Sequence, residues 1–305
     1  MSIPSHTADS FVMRVLMSNR ARLFVIVEGK QTDKWFYDQV CRTSDKIRSA
    51  GYVVYPVEFA TRGLGESGGK ARVMKLFDLL RKAGKLGPIG RRRQSLMFCV
   101  DSDHDRLVGQ VRRSAHLMYT RLPDVEAHVY DGASLLTYIS RSHSATHVEA
   151  RMIARELKDW REELAVAWRD WFELCLAAHY VGLDTPAPGG KPKLLNGSER
   201  DIDNAFIRRL ETKVRDAVGE QAYRAARRRA SNCLASRYER NRGYTLLKGK
   251  WLAGELRSRS NACVKDKGLP EIRSNESVRE AIKGSMRFNR SAIGQYVDRL
   301  ESLVS

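Results

Sequence analysis

Leu96-Met97-Phe98-Cys99-Val100-Asp101-Ser102-Asp103-His104-Asp105 is an unbroken apolar run that ends in aspartates at alternate positions. A continuous run of this kind predicts a strand buried on both faces, as in a parallel sheet. Leu23-Phe24-Val25-Ile26-Val27 repeats the pattern and ends in Glu28-Gly29. Between the two lie a helical pattern over 32–43, a β-rich stretch from Tyr52 to Phe59 and a second helical pattern from Lys70 to Ala83. Trp35, Phe36 and Val40 mark one side of the first helix, with Thr32 as its N-cap. Val73, Leu76, Leu79 and Leu80 form the stripe of the second. A helix around 106–120 and a strand at Val125–Tyr130 are expected next. Strands alternating with helices predict an α/β fold with a mostly parallel, doubly wound sheet.

Strand signals stop after about residue 133. Residues 133–182 read as helices, with Trp160, Trp168 and Trp171 on one core-facing side. The Pro- and Gly-rich stretch 184–198 reads as a loop, and helices resume near Asp201. Two domains are expected, 1–140 with the sheet and 141–305 with helices. No internal repeat or low-complexity tract is visible.

The chain has 305 residues, and Lys+Arg 54 against Asp+Glu 36 gives a net charge of +18. With 42% hydrophobic residues there is enough apolar material for a core, which excludes global disorder. No apolar run approaches the roughly 18 residues of a membrane span, and the first twenty residues lack the pattern of a secretory signal. The five cysteines are scattered and never in C-x-x-C spacing, which excludes a disulfide scaffold and fits the cytoplasm. A pI near 9.9 points to a polyanionic partner, nucleic acid first. Residues 221–260 hold eleven lysines and arginines against two acids. Arg224, Arg227 and Arg228, at i, i+3 and i+4, would share a helix face able to follow phosphates. A smaller basic loop holds Lys85, Arg91, Arg92 and Arg93.

In a parallel α/β sheet, ligands bind at the carboxyl ends of strands. Glu28 and Asp101 both fall there. Alternation along an extended chain would turn Asp101, Asp103 and Asp105 to the same side. Converging carboxylates repel unless cations neutralise them, and hard oxygen ligands favour Mg²⁺ or Mn²⁺. Divalent ions on carboxylates in a basic protein suggest phosphodiester chemistry.

Val27-Glu28-Gly29-Lys30-x-x-Asp33-x-x-Phe36-Tyr37 and Phe98-Cys99-Val100-Asp101-Ser102-Asp103-His104-Asp105 resemble a Toprim domain, the metal-binding fold of topoisomerases, primases and OLD-type nucleases. Within that superfamily the chain looks most like the stand-alone Toprim effectors of anti-phage defence, the group of AriB in the PARIS system. Tyr130 to Leu136 resembles that group's acidic-x-x-Leu-Leu segment, and Leu247 to Leu252 its Lys-Gly-Lys stretch. The resemblance implies a Toprim-like sheet followed by a helical, basic region. It implies that Glu28 is a catalytic acid or base and a metal ligand, and that Asp101 and Asp103 are metal ligands. Asp105 and Asp131 are further candidate ligands, and Asp33 stands five residues after Glu28 where the family often has its next acid four after. Lys248 and Lys250 are candidate phosphate contacts beside the arginine triad. The resemblance further implies a Mg²⁺- or Mn²⁺-dependent endonuclease, with structured RNA such as tRNA ahead of DNA. It would be a toxic effector released from an ABC-type ATPase partner. A homodimer when active is expected separately, since an active edge completed by a second copy would be one means of control.

Two rival readings stand beside it: a non-catalytic nucleic-acid-binding or assembly subunit with vestigial carboxylates, and a primase-like enzyme. Gly63 to Lys70 resembles a phosphate loop, but its lysine comes one residue late and Ala71 replaces Ser or Thr. His143 and His147 stand at a spacing that could hold zinc on a helix, without a third ligand. His104, among the aspartates, is a candidate proton relay.

Overall fold

In the computed structural model, which describes residues 8–60, 69–183, 190–195 and 199–304, the two apolar runs are neighbouring strands. β1 (Leu23–Val27) is buried along its whole length, as is β3 (Ser95–Val100). β2 (Tyr52–Pro56) pairs with the other side of β1, and β4 (Leu117–Tyr119) with the other side of β3. The order is β2-β1-β3-β4 and every pair is parallel. Parallel strands buried on both faces require apolar residues at odd and even positions alike. Leu23 to Val27 and Leu96 to Val100 supply them.

The chain forms two compact units, crossing between them more than once. The first comprises the residues up to 102, 109–125 and those from 287 on; the second comprises 103–108 and 126–286. In the first unit, α1 (Ala8–Leu16) precedes β1, and α2 (Thr32–Arg42) and α3 (Asp45–Ala50) lead to β2. The short α4 (Val57–Ala60) and α5 (Gly69–Lys82) then lead to β3. Phe24, Ile26, Leu96, Phe98 and Val100 form a core with Phe11, Val12 and Val15 of α1 and Val73, Leu76, Phe77 and Leu80 of α5. Phe77 takes the core position expected for Leu79, which is 41% exposed.

The second unit is helical. It contains α6 (Asp105–Val108), most of α7 (Val125–Gly132), α8 (Leu135–Ser142), α9 (His147–Glu156), α10 (Trp160–Ala167) and α11 (Arg169–Tyr180). After the loop come α12 (Asn204–Val218), α13 (Glu220–Glu239), α14 (Leu252–Lys265) and α15 (Asn275–Ser285). The last helix, α16 (Arg290–Glu301), belongs to the first unit. There Tyr296 meets Phe36 and Tyr37 of α2 edge-on, with ring centroids 5.6 and 6.0 Å apart.

Several expectations change. β2 stops at Pro56, and α4 follows where the strand was expected to reach Phe59. Gln31, not Thr32, is the cap of α2. The helix expected over 106–120 is only α6, four residues long, followed by β4. The strand expected at Val125–Tyr130 is α7. Alternation in Val125-Glu126-Ala127-His128-Val129 imitates a strand, yet Pro123-Asp124 ahead of it is helix-start chemistry. The three tryptophans are core, as expected, but not one helix face: Trp168 closes α10 and opens α11. Residues 184–189 and 196–198 of the expected loop lie outside the described residues. No helix among the described residues is long and apolar enough to cross a membrane.

Candidate functional site

The jump from β2 across β1 to β3 reverses the direction in which strands are added, so the carboxyl ends of β1 and β3 flank a topological switch point, where α/β sheets bind ligands. Glu28 and Asp101 are the residues that follow those two strands. Glu28 Oε1 accepts the backbone N–H of Asp101 at 2.8 Å. Asp101 Oδ1 accepts the N–H of Val125 at 3.2 Å. One hydrogen bond thus joins the Glu28 carboxylate to the main chain of a second acidic residue 73 positions away, and both residues stay half-buried.

The surrounding chain fixes this geometry. Ser102, buried, takes the Thr120 hydroxyl as acceptor for its N–H at 2.7 Å and donates its own hydroxyl to the Leu122 carbonyl at 2.8 Å. Those two bonds tie the loop after β3 to the segment after β4. Asp33 is buried, and its Oδ2 accepts the Gly29 N–H at 2.7 Å, closing the turn that presents Glu28. Its carboxylate therefore holds the loop. Gly69, opening α5, lies so close that a Cβ there would sit 3.1 Å from the Glu28 Cβ. Lys70 follows, its ammonium 6.0 Å from the ring centre of Tyr119 at the end of β4. Beneath the site, burial first and then the charges around it, Asp101 and Asp33 among them, push the Tyr37 hydroxyl well above its ordinary pKa.

The other predicted residues fall differently. Asp103 does not continue an extended chain. Its φ of 45° is left-handed, a conformation aspartate tolerates, and Asp105 begins α6. The alternation expected to aim Asp101, Asp103 and Asp105 alike therefore ends with the strand at Val100. Asp103, in the second unit, pairs with Lys248 at 2.5 Å. Lys248 is only 8% exposed, so its ammonium serves Asp103 inside the unit rather than standing on the surface for phosphates. Gly249 next to it allows the close approach: a Cβ there would lie 2.2 Å from backbone atoms of Glu126 and Ala127. Lys250 is exposed. Asp131 lies on α7, not at a strand end, and pairs with Arg161 at 3.1 Å. His104 is buried; its Nε2 lies 3.2 Å from the Leu246 carbonyl, and burial with the nearby Lys248 charge lowers its pKa to about 4. A neutral, enclosed imidazole of this kind packs the second unit.

The arginine triad divides. Arg227 pairs with Asp170 at 3.2 Å and Glu173 at 3.4 Å. Arg224 pairs with Glu220 at 2.5 Å, and only Arg228 stands clear of acids. The histidine pair also separates: His143 is a buried C-cap bonded to the Pro270 carbonyl at 2.7 Å, whereas His147 begins the next helix. Arg91, Arg92 and Arg93 are exposed just before β3, at the amino end of the strand. Residues 63–68 of the phosphate-loop resemblance lie outside the described residues.

Among the described residues, no group of three or more His, Cys, Asp or Glu side chains gathers to hold a metal. Of the carboxylates expected to converge, Asp103 turns to Lys248 and Asp105 opens α6, while Glu28 and Asp101 remain at the ends of adjacent strands. Thr120, Ser102 and Asp124, the last buried directly before α7, carry no sequence pattern of their own; only the serine falls within the Asp101–Asp105 motif. No family model matches the chain, and no curated protein matches it.

Proposed function

We propose that the chain is a divalent-metal-dependent endonuclease whose centre is the Glu28–Asp101 pair at the switch point of a Toprim-like sheet. The observation that carries this reading is the 2.8 Å bond from the Asp101 backbone N–H to Glu28 Oε1, which ties two acidic residues together at the carboxyl ends of adjacent strands. Mg²⁺ typically takes one or two carboxylates and keeps several waters, so the pair is a sufficient donor set. When bound, such an ion supplies polarisation of a phosphodiester and neutralises charge on it. Glu28 and Asp101 hold the ion; Asp33, Ser102 and Thr120 hold the loops that carry them. Asp103, paired with Lys248 within the second unit, is left out of the proposed set.

The chain's charge of +18 supports a nucleic-acid substrate. The preference for structured RNA such as tRNA, the role in anti-phage defence and restraint by an ABC-type ATPase rest on the resemblance of the two strand-end motifs; an active homodimer rests on the need to restrain such an enzyme. A second reading, a non-catalytic nucleic-acid-binding subunit, is favoured by one observation, the commitment of Asp103 to Lys248.

Incubation of the purified chain with labelled tRNA, single-stranded RNA and duplex DNA distinguishes them. Cleavage with Mg²⁺ or Mn²⁺ that EDTA and Glu28→Gln abolish supports the nuclease. Binding without cleavage under every metal condition supports the second reading.

A further inference from the structure

α13 is clamped onto α11 in a way that leaves one face outward. Tyr223, Ala226, Ala230 and Leu234 form its buried stripe, at i, i+3, i+7 and i+11. On one margin Arg227 binds Asp170 and Glu173. On the other, the Arg229 guanidinium covers the Tyr180 ring, 4.0 Å from its centre. These arginines are spent on holding the two helices together. The opposite face carries Gln221, Ala225, Arg228, Asn232 and Ser236, spaced i, i+4, i+7, i+11 and i+15, and all are exposed.

This face has a definite chemistry. Every polar residue on it can donate a hydrogen bond, and the others are small. It has no acid between Gln221 and Ser236; Glu239 lies beyond its end. At 1.5 Å per residue the stripe is about 22 Å long, the length of roughly six base pairs at 3.4 Å. A depression of about 420 Å³ lined by Glu220, Gln221, Arg224, Ala225 and Arg228 lies at its amino-terminal end, where Arg224 neutralises Glu220. Short donors around a single unpaired guanidinium suit phosphate oxygens, which accept from Arg, Asn, Gln and Ser alike and demand no base identity.

We propose that the outward face of α13, centred on Arg228 and Asn232, is the surface that grips the sugar–phosphate backbone of the nucleic-acid substrate. The proposal rests on the nuclease reading for its substrate class, but it is tested by binding alone, in EDTA, where cleavage plays no part.

The measurement is fluorescence anisotropy of labelled duplex DNA, duplex RNA and single-stranded RNA over a salt series with the full chain. Arg228→Glu should weaken binding about 5–10-fold near 0.1 M salt and lower the log–log salt slope by about 0.9 on duplex DNA or 0.7 on single strands. Asn232→Asp, which keeps side-chain size, should weaken binding in the same direction. The three nucleic acids tell which backbone is preferred. Arg155→Glu, the same charge change at an exposed position on α9, is the control. The proposal is overturned if Arg228→Glu and Asn232→Asp bind no worse than Arg155→Glu, or if the unaltered chain binds none of the three at low salt. It is also overturned if poly-glutamate displaces the nucleic acid at equal charge concentration, since the face would then be selecting an acidic protein. A chain that binds through this face but never cleaves would refute the nuclease reading and leave this inference standing.

Discussion

Replacing Glu28 separates its structural duty from its chemical one. In the structure its carboxylate accepts the Asp101 N–H at 2.8 Å and so joins the ends of β1 and β3. A hydrogen bond to a charged group contributes about 1.5–3 kcal/mol when buried. Glu28 is half-buried, which puts the loss in Glu28→Ala near the lower end. Relief of repulsion from Asp101 offsets part of it, leaving a net destabilisation of about 1 kcal/mol. Glu28→Gln keeps an acceptor oxygen at the same position and removes the charge, so its stability should lie within about 0.5 kcal/mol of the unaltered chain. Urea unfolding in EDTA reads both values. The same experiment with Mg²⁺ at about a hundred times its dissociation constant should raise the unaltered chain by about 2.7 kcal/mol, because a ligand bound only to the folded state adds its binding energy to stability. Neither variant should gain comparably. Carboxylate crowding alone predicts that Glu28→Ala holds or gains stability without metal. If Glu28→Ala matches or exceeds Glu28→Gln in EDTA, the bond does not tie the strands and the reasoning from geometry fails.

The Lys248–Asp103 pair should behave as a coupled unit in urea unfolding. Side-chain exposures of 10% and 31% place it between surface pairs and fully buried ones, so Lys248→Met and Asp103→Asn should show a coupling energy of about 1–2 kcal/mol in a double-mutant cycle; coupling below about 0.5 kcal/mol would mark it as a surface contact. His143 is held neutral by burial, its pKa lowered although the Pro270 carbonyl partly opposes the shift. The unfolded chain therefore takes up the proton first, and the stabilisation, complete above the ordinary histidine range, is lost as pH falls below about 6.5. Urea unfolding of the unaltered chain and of His143→Gln at pH 7 and pH 5 checks this: the variant should lose less on acidification, and equal losses would rule His143 out as a contributor.

What the sequence disclosed follows from the range of the forces involved. β1 and β3 were legible because a strand buried on both faces must be apolar throughout, and Leu23 to Val27 and Leu96 to Val100 have no other use for that pattern. Glu28 and Asp101 were legible because the same rule places whatever follows such strands at a binding edge. β4 escaped because Leu117–Tyr119 is three residues long and carries no periodicity. α7 was misread because its burial on nearly every side removes the 3.6-residue stripe. The failure at Asp103 is of another kind: the reversal at φ 45° is local, but its partner Lys248 lies 145 residues away. Likewise spacing puts Arg224, Arg227 and Arg228 close together, yet only the fold brings Asp170 and Glu173 to Arg227 and leaves Arg228 outward.

The central claim, that Glu28 and Asp101 together hold a divalent ion, is tested most directly by calorimetric titration of Mn²⁺ into the full chain, into Glu28→Gln and into Asp101→Asn. The account predicts saturable binding by the unaltered chain that either substitution abolishes while the far-ultraviolet circular dichroism stays the same. Undiminished Mn²⁺ binding by folded Asp101→Asn and Glu28→Gln would contradict it.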